Sequence, residues 1–410
     1  MPTHDAAGRP LDPRRWKALS VGLVAAFMTL LDVSIVNVAL PSIRDGLGAT
    51  SGDLSWVLSG YALAFGLVLI PAGRLGDARG RRTVFMLGLA LFTLASGACG
   101  VAPNPTWLIL ARLAQGMAGG MLNPQVAGMI QALFRGPERG RAFGLLGATA
   151  GLSTAVGPVL GGVIITSIGG PDAWRWVFLV NLPIGLLALL LAWRLIPTDL
   201  GSGRRESLDP VGVLLLSVGL FLLLVPLAEA QRVGVWVWLM WPGSAVALAG
   251  FLAWERRHRS KGRAPLVDLA LLRRWPYLLG VTVGLLYFAG FTSIFFVITL
   301  WLQAGLGYSA LVAGLVQTPF AIGGALGAVL GGRLVSRFGR SLVATGLSLT
   351  TVGLVITDLL IGWLDPATAV VAILLPMGIA GIGSGFTISP NQALTLAEAP
   401  VAGAGSAAGV

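Results

Sequence analysis

The chain has 410 residues, 55% of them hydrophobic and only 11% charged, with 28 basic against 17 acidic side chains and a formal charge of +11. A soluble domain carries about 25% charged residues. No single globular core absorbs this much apolar surface, so the composition excludes an ordinary soluble enzyme or binding module and makes a lipid bilayer the solvent for most of the chain.

The N-terminal segment holds Arg14, Arg15 and Lys17 ahead of the first apolar run. That run continues to Pro41 without a small-x-small cleavage site, so it is read as an uncleaved first span and not as a signal peptide. About 20 apolar residues cross a bilayer as a helix. By that measure the sequence predicts spans over 18–40, 54–72, 84–102, 106–133, 142–168, 175–196, 211–230, 234–253, 276–302, 310–330, 341–363 and 367–391. The longest, 106–133 and 142–168, are expected to tilt or to extend into water.

All basic residues except Arg44, Arg112, Arg175 and Arg232 fall on the side of the N-terminus, from Arg9, Arg204, Arg205, Lys261 and Arg263 to the cluster Arg333, Arg337 and Arg340. That asymmetry predicts a cytoplasmic N-terminus. The same charge on a soluble protein would suggest nucleic acid; placed in short loops it sets topology, and no nucleic-acid partner is expected. The expected organisation is a cytoplasmic N-terminus (1–17), a six-helix bundle (18–196), an inserted two-helix hairpin with its preceding loop (197–253), a cytoplasmic linker (254–275) and a C-terminal bundle with four spans (276–410). Trp107, Trp174, Trp176, Trp236, Trp238 and Trp241 stand near outer span ends and read as an interfacial belt.

Two stretches repeat at one offset. Gly73-Arg74-Leu75-Gly76-Asp77-Ala78-Arg79-Gly80-Arg81-Arg82 follows the second span, and Gly332-Arg333-Leu334-Val335-Ser336-Arg337-Phe338-Gly339-Arg340 follows the tenth. Gly46-Leu47-Gly48 and Gly305-Leu306-Gly307 lie at that same offset. Both copies point the same way across the membrane, which is the pattern of parallel repeats in a transporter.

The first span contains Asp32, with Ser34 and Asn37 close by, and the fourth contains Arg112 and, one turn on, Gln115. Ionisable groups at lipid depth are costly and mark function or pairing. By contrast, Asp358 and Glu229 stand at span ends and read as interfacial. Cys99, the one cysteine, sits in an apolar run and reads as a buried inert thiol, with no disulfide framework possible within the chain. His4 and His258, in polar segments, offer no metal set and no proton relay within the membrane. Nucleotide loops and nucleophile–histidine pairs are missing too, so the chain does not read as an enzyme, and ATP is not the expected energy source.

These residues resemble the major facilitator superfamily, and within it the fourteen-spanner drug:proton antiporters. Gly73-x-Leu75-x-Asp77-x-x-Gly80-Arg81-Arg82 is similar to the superfamily's cytoplasmic loop motif, with Ala78 where a basic residue is usual. Leu108-x-x-x-Arg112-x-x-Gln115-Gly116 is similar to the motif linked to proton coupling, and Gly157-Pro158-x-x-Gly161-Gly162 resembles the antiporter motif, with Ser153 in place of its leading glycine. Leu31-Asp32-x-x-Ile35-Val36-Asn37-Val38-Ala39-Leu40-Pro41 and Trp174-Arg175-Trp176-x-Phe178-x-x-Asn181-x-Pro183-x-Gly185 are similar to the fourteen-spanner branch.

The resemblance implies an all-α major facilitator fold: two parallel-repeat bundles, an extra central hairpin, and two further C-terminal spans beyond those in these 410 residues. It also implies that spans 1 and 4 are neighbours, and that Asp77 faces a helix N-terminus in the unseen part. The expected activity is proton-coupled export of lipophilic or cationic small molecules through the cytoplasmic membrane, with the proton gradient as energy source and no bound cofactor. The expected partners are substrate, protons and the bilayer; a periplasmic adaptor stays open. Import or facilitated transport of another metabolite, and a non-transporting truncated relative, stand as alternatives.

Counted from Pro41 and Trp107 at ~1.5 Å per residue, Asp32 lies roughly 13 Å and Arg112 roughly 8 Å below the outer surface. Arginine keeps its charge. It favours the neighbouring carboxylate, whereas burial favours the acid. That balance suits uptake of a proton from outside and its release inside; a static pair and a substrate-binding role for Asp32 are the competing readings. For Gln115, Asn37 and Ser34 the choice lies between lining the substrate cavity and interhelical bonding. Gly157, Gly161 and Gly162 with Pro158 are expected to form a kinked contact with the second half, and the loop of Gly73, Asp77, Gly80, Arg81 and Arg82 to act as a conformational latch, with Arg81 and Arg82 at the inner lipid surface.

Overall fold

The structure, a computed structural model, describes residues 13–198, 209–260, 266–267, 270–399 and 407–408. Arg9, Arg204, Arg205, Lys261 and Arg263 lie outside the described residues, as does His4, and so do the side chains of Glu229 and Arg232. The helices are α1 (Arg15–Leu47), α2 (Ser51–Arg79), α3 (Arg81–Gly100), α4 (Pro105–Leu133), α5 (Gly136–Ile168), α6 (Arg175–Leu179), α7 (Asn181–Leu195), α8 (Pro210–Val233), α9 (Met240–Ser260), α10 (Trp275–Leu300), α11 (Ala310–Phe338), α12 (Arg340–Trp363), α13 (Pro366–Ala372) and α14 (Leu374–Ala397). Among the described residues there is no strand. This suits lipid, where a helix satisfies its backbone groups within the segment.

Eleven helical stretches among the described residues are long and apolar enough to cross a membrane. Of the twelve predicted spans, α4 is the one that misses that threshold. It is a continuous helix of 29 residues, but Arg112, Gln115, Asn123, Gln125 and Gln131 lower its mean hydropathy. Its polar groups find partners on neighbouring helices: the Arg112 Nε–H donates to the Val57 carbonyl and the Gln125 amide to that of Ala72, both on α2.

Several expected boundaries move. Helix α1 runs through Pro41 to Leu47, so Asp32 stands near the midpoint of a 33-residue helix, deeper than the count from Pro41 gives. The span at 175–196 is two helices, α6 and α7, stepping at Val180. The eighth begins with a 3₁₀ segment, Gly234–Leu239. Its helix α9 then continues to Ser260, into the segment read as a linker. The short α13 precedes α14 in the twelfth. The motif after the second span is not a loop. Gly73 and Asp77 are helical, buried parts of α2, and the turn is made by Gly80 alone.

The repeat is visible in the backbone. Gly80 (φ +100°) separates α2 from α3, and Gly339 (φ +54°) separates α11 from α12. Both take the left-handed region that a side chain disfavours. The two lie at the offset read from Gly73 and Gly332, as do Thr50 and Ser309, which cap the N-termini of α2 and α11. Thr50 forms a reciprocal capping box: the Asp53 N–H donates to the Thr50 hydroxyl at 3.2 Å, and the Thr50 N–H to the Asp53 carboxylate at 2.9 Å.

Contacts divide the chain into two units: Met1–Ala39, Leu133–Ile168 and Leu271–Glu398 form one, and Leu40–Ala132, Gly169–Ala270 and Ala399–Val410 the other. In the first, α5, α11, α12 and α14 approach through glycines. A Cβ on Gly144 would stand 2.7 Å from the Ala328 carbonyl oxygen, and one on Gly353 2.6 Å from that of Pro376. Small residues allow backbones this close, which is how helices gain packing energy where lipid removes the hydrophobic drive. In the second unit, the α8–α9 hairpin packs Leu216 and Phe251 with Leu266 and Val267 and touches Ile70 of α2. Asp209 caps α8 through the Gly212 N–H and also accepts from the Trp254 indole at 2.8 Å. The Glu255 carboxylate takes the Leu266 N–H at 3.1 Å.

Candidate functional site

Asp32 belongs to the first unit and is 0% exposed. Two residues on, the Ser34 hydroxyl donates to the backbone carbonyls of Leu31 (3.0 Å) and of Ser153 on α5 (3.1 Å). Ser34 thus serves interhelical bonding. A Cβ on Gly157 would run into the Ser34 hydroxyl, and one on Gly161 would stand 2.9 Å from Ile35. The antiporter-motif glycines therefore bring α5 onto α1, not onto the second half as expected. Pro158 does face the second half: it stands 2.9 Å from where a Cβ of Gly314 would be, on α11. Gly162 has nothing within 4 Å. Asn37 is exposed and returns its amide to the Val33 carbonyl at 3.0 Å.

Arg112 belongs to the second unit and is 1% exposed. Its placement begins with small residues. Gly116 and Gly120 lay α4 directly on the backbone of α2 at Tyr61 and Phe65. That closeness brings the Arg112 Nε–H to the Val57 carbonyl at 3.1 Å. The guanidinium stands 4.2 Å over the Tyr61 ring and 5.8 Å from that of Phe178, a desolvated cation–π arrangement. Its Nη1–H donates to Gln115 Oε1 at 2.8 Å. Gln115 Nε2 donates to Ser96 Oγ at 3.1 Å, and the Cys99 thiol lies 3.4 Å from Gln115 Oε1. Ser96 donates to the Phe178 carbonyl at 2.9 Å and accepts from Asn181 Nδ2 at 3.0 Å. Gln115 is fully buried with both ends of its amide engaged, so it works inside this network and does not line an open surface.

The loop-motif residues form a second buried centre. The Arg81 Nη2–H and Nε–H donate to Asp77 Oδ1 at 2.9 and 3.3 Å, and Nη1–H to the Gly128 carbonyl of α4 at 2.8 Å. Arg81 is buried, which corrects its expected place at the lipid surface. Arg82 donates to the Trp193 carbonyl. The carboxylate is in the last turn of α2 and the cation opens α3, each at the helix end its charge disfavours. Their mutual contact offsets both terms.

Tyr61, Val57 and Ser96 were not singled out from the sequence. A serine and a cysteine three residues apart in an apolar run, Ser96 and Cys99, were the available signal. Trp174 departs from the expected belt. It is wholly buried against Phe178, with its indole N–H unpartnered among the described residues. Trp107, Trp176, Trp236 and Trp241 are exposed. Asp358 is exposed near the C-terminal end of α12. Among the described residues no group of three His, Cys, Asp or Glu is placed to hold a metal.

The model of the Major Facilitator Superfamily matches residues 22–410. The chain is 38% identical over 414 residues to a protein of Streptomyces coelicolor named "Probable actinorhodin transporter", covering 100% of this chain and 71% of that protein. It is 37% identical over 421 residues to the puromycin resistance protein pur8 of Streptomyces alboniger, covering 100% of this chain and 80% of that one. Among solved structures, the proton:xylose symporter XylE bound to 6-bromo-6-deoxy-D-glucose superposes with a TM-score of 0.65 at 14% identity, over 96% of this chain and 85% of that one. At that identity the likeness concerns the fold.

Proposed function

The chain belongs to the Major Facilitator Superfamily, and from that premise we propose that it is a proton-coupled antiporter of the fourteen-spanner type. It exports lipophilic or cationic small molecules, such as drugs, antiseptics and antibiotics, across the cytoplasmic membrane, with its N-terminus inside. Relatives named for antibiotic transport and resistance support the class of cargo. The observation that carries the coupling is Asp32: a carboxylate wholly buried near the midpoint of a membrane-length helix. A charge so placed is costly unless it works.

In this reading Asp32 takes a proton on a carboxylate oxygen from the outer side and releases it to the inside, and Arg112, which keeps its charge, is the second coupling residue. Cargo binding inward drives that release, and alternating access carries the cargo out. Pro158, which faces α11, helps to seal the empty carrier, while the glycines at 157 and 161 hold α5 against the helix that carries Asp32. The motif of Gly73, Asp77, Gly80, Arg81 and Arg82 latches the inner side.

The test uses inside-out membrane vesicles, an imposed pH gradient and ethidium as cargo. Wild type moves ethidium into the vesicle lumen, and an uncoupler abolishes this. Asp32→Asn retains binding but loses gradient-driven movement. Full coupling in Asp32→Asn removes the proposal. Overexpressing cells that accumulate more ethidium, instead of less, decide for import.

A further inference from the structure

We propose that Ser96 and Asn181 are positioning residues of the coupling site, acting on Arg112 through the amide of Gln115. This rests on the reading of Arg112 as a coupling residue. A serine hydroxyl has one hydrogen to donate and two lone pairs. Ser96 uses all three: its hydrogen goes to the Phe178 carbonyl, and its lone pairs take Gln115 Nε2 and Asn181 Nδ2. This leaves the oxygen as an acceptor only, facing Gln115. The Gln115 amide must then turn its NH₂ to Ser96 and its oxygen to Arg112.

The opposite rotamer would set amide hydrogens against a guanidinium, which has no acceptor. It would also set a carbonyl against a hydroxyl whose hydrogen is committed elsewhere. Asn181 matters because it occupies the second lone pair and keeps the hydrogen on Phe178. One residue from each of α3, α4 and α7 therefore fixes the direction in which the guanidinium meets its acceptor. All are buried, with Ser96 and Gln115 fully so, and bulk water does not compete for these bonds.

The experiment reconstitutes the full chain in proteoliposomes and measures two rates with ethidium: pH-gradient-driven transport, and equilibrium exchange without a gradient. Ser96→Ala is expected to lower driven transport about tenfold, leaving exchange and ethidium affinity within about twofold. Gln115→Ala does the same. The double variant stays near tenfold instead of reaching about a hundredfold, because the residues act as one unit. Asn181→Ala leaves Ser96 in place and gives the same split at about threefold, so misfolding of Ser96→Ala does not remove the test.

Additive losses, equal losses in driven transport and exchange, or wild-type driven transport in both Ser96→Ala and Asn181→Ala overturn the inference. Failure of the underlying reading looks different: wild type itself shows no uncoupler-sensitive transport, or Asp32→Asn stays coupled, and the inference falls with it.

Discussion

Removing the carboxylate of Asp77 should be among the most costly single changes in the chain. Arg81 and Asp77 side chains are 3% and 0% exposed. Breaking a buried pair by deleting one partner costs about 3–5 kcal/mol, because the remaining charge stays desolvated. The bond to the Gly128 carbonyl at 2.8 Å keeps part of that charge satisfied, so Asp77→Ala should fall at the lower end, about 3 kcal/mol. Arg175 and Asp172 are closer, at 2.7 Å, but 25% and 69% exposed, and such pairs contribute about 0–1 kcal/mol. Burial, not distance, decides the order.

The assay is thermal unfolding read by a thiol-reactive dye on Cys99, the one cysteine of the chain, which is buried in the fold. At about 2–4 °C per kcal/mol for a chain of 150–250 residues, and less for a longer one, Asp77→Ala should unfold about 3–8 °C below wild type, and Asp172→Ala within about 1–2 °C. Equal shifts for the two variants would refute the reasoning that desolvation sets the cost.

Within the antiporter motif the glycines should separate. Gly157→Ala drives a methyl into Ser34 and stands 3.1 Å from the Ile35 nitrogen, costing about 1–3 kcal/mol as overpacking. Gly162→Ala meets nothing and should be neutral or stabilising by up to about 1 kcal/mol; the same dye assay ranks them. Trp174→Ala, at a wholly buried ring, should cost about 3–5 kcal/mol, whereas Trp236→Ala, at a ring 75% exposed, should stay within about 0.5 kcal/mol. Asp365, outside the spans, caps α13. The Thr368 N–H, at 3.0 Å, and the Thr368 hydroxyl hold its carboxyl below its ordinary value of 3.8. A depressed folded value means that the cap's contribution is complete above the ordinary value and disappears as pH falls through the lower one. Protection of the Thr368 amide from hydrogen exchange should therefore hold at neutral pH and fail only in strong acid; loss already at mild acidity would contradict the cap.

Much of the architecture was written in one dimension. Apolar runs locate the membrane helices because lipid forces each segment to satisfy its own backbone. The paired glycines at 80 and 339 mark repeated turns because a left-handed φ excludes most other residues. Asp32 announces a buried charge because no apolar run carries one cheaply. What the chain order alone does not hold is which face of a helix meets which neighbour. Trp174 and Trp236 look alike as sequence, yet one is core and the other exposed. Arg81 and Arg82 are adjacent, yet only Arg81 is turned inward to Asp77. Helix α4 falls short in mean hydropathy but is a continuous helix, because Tyr61, Ser96 and Asn181 from three other helices meet its polar groups directly or through one another. Hydropathy averages over the circumference of a helix, whereas the cost of a buried polar group depends on the partner found at one angle, and only the tertiary structure supplies that partner.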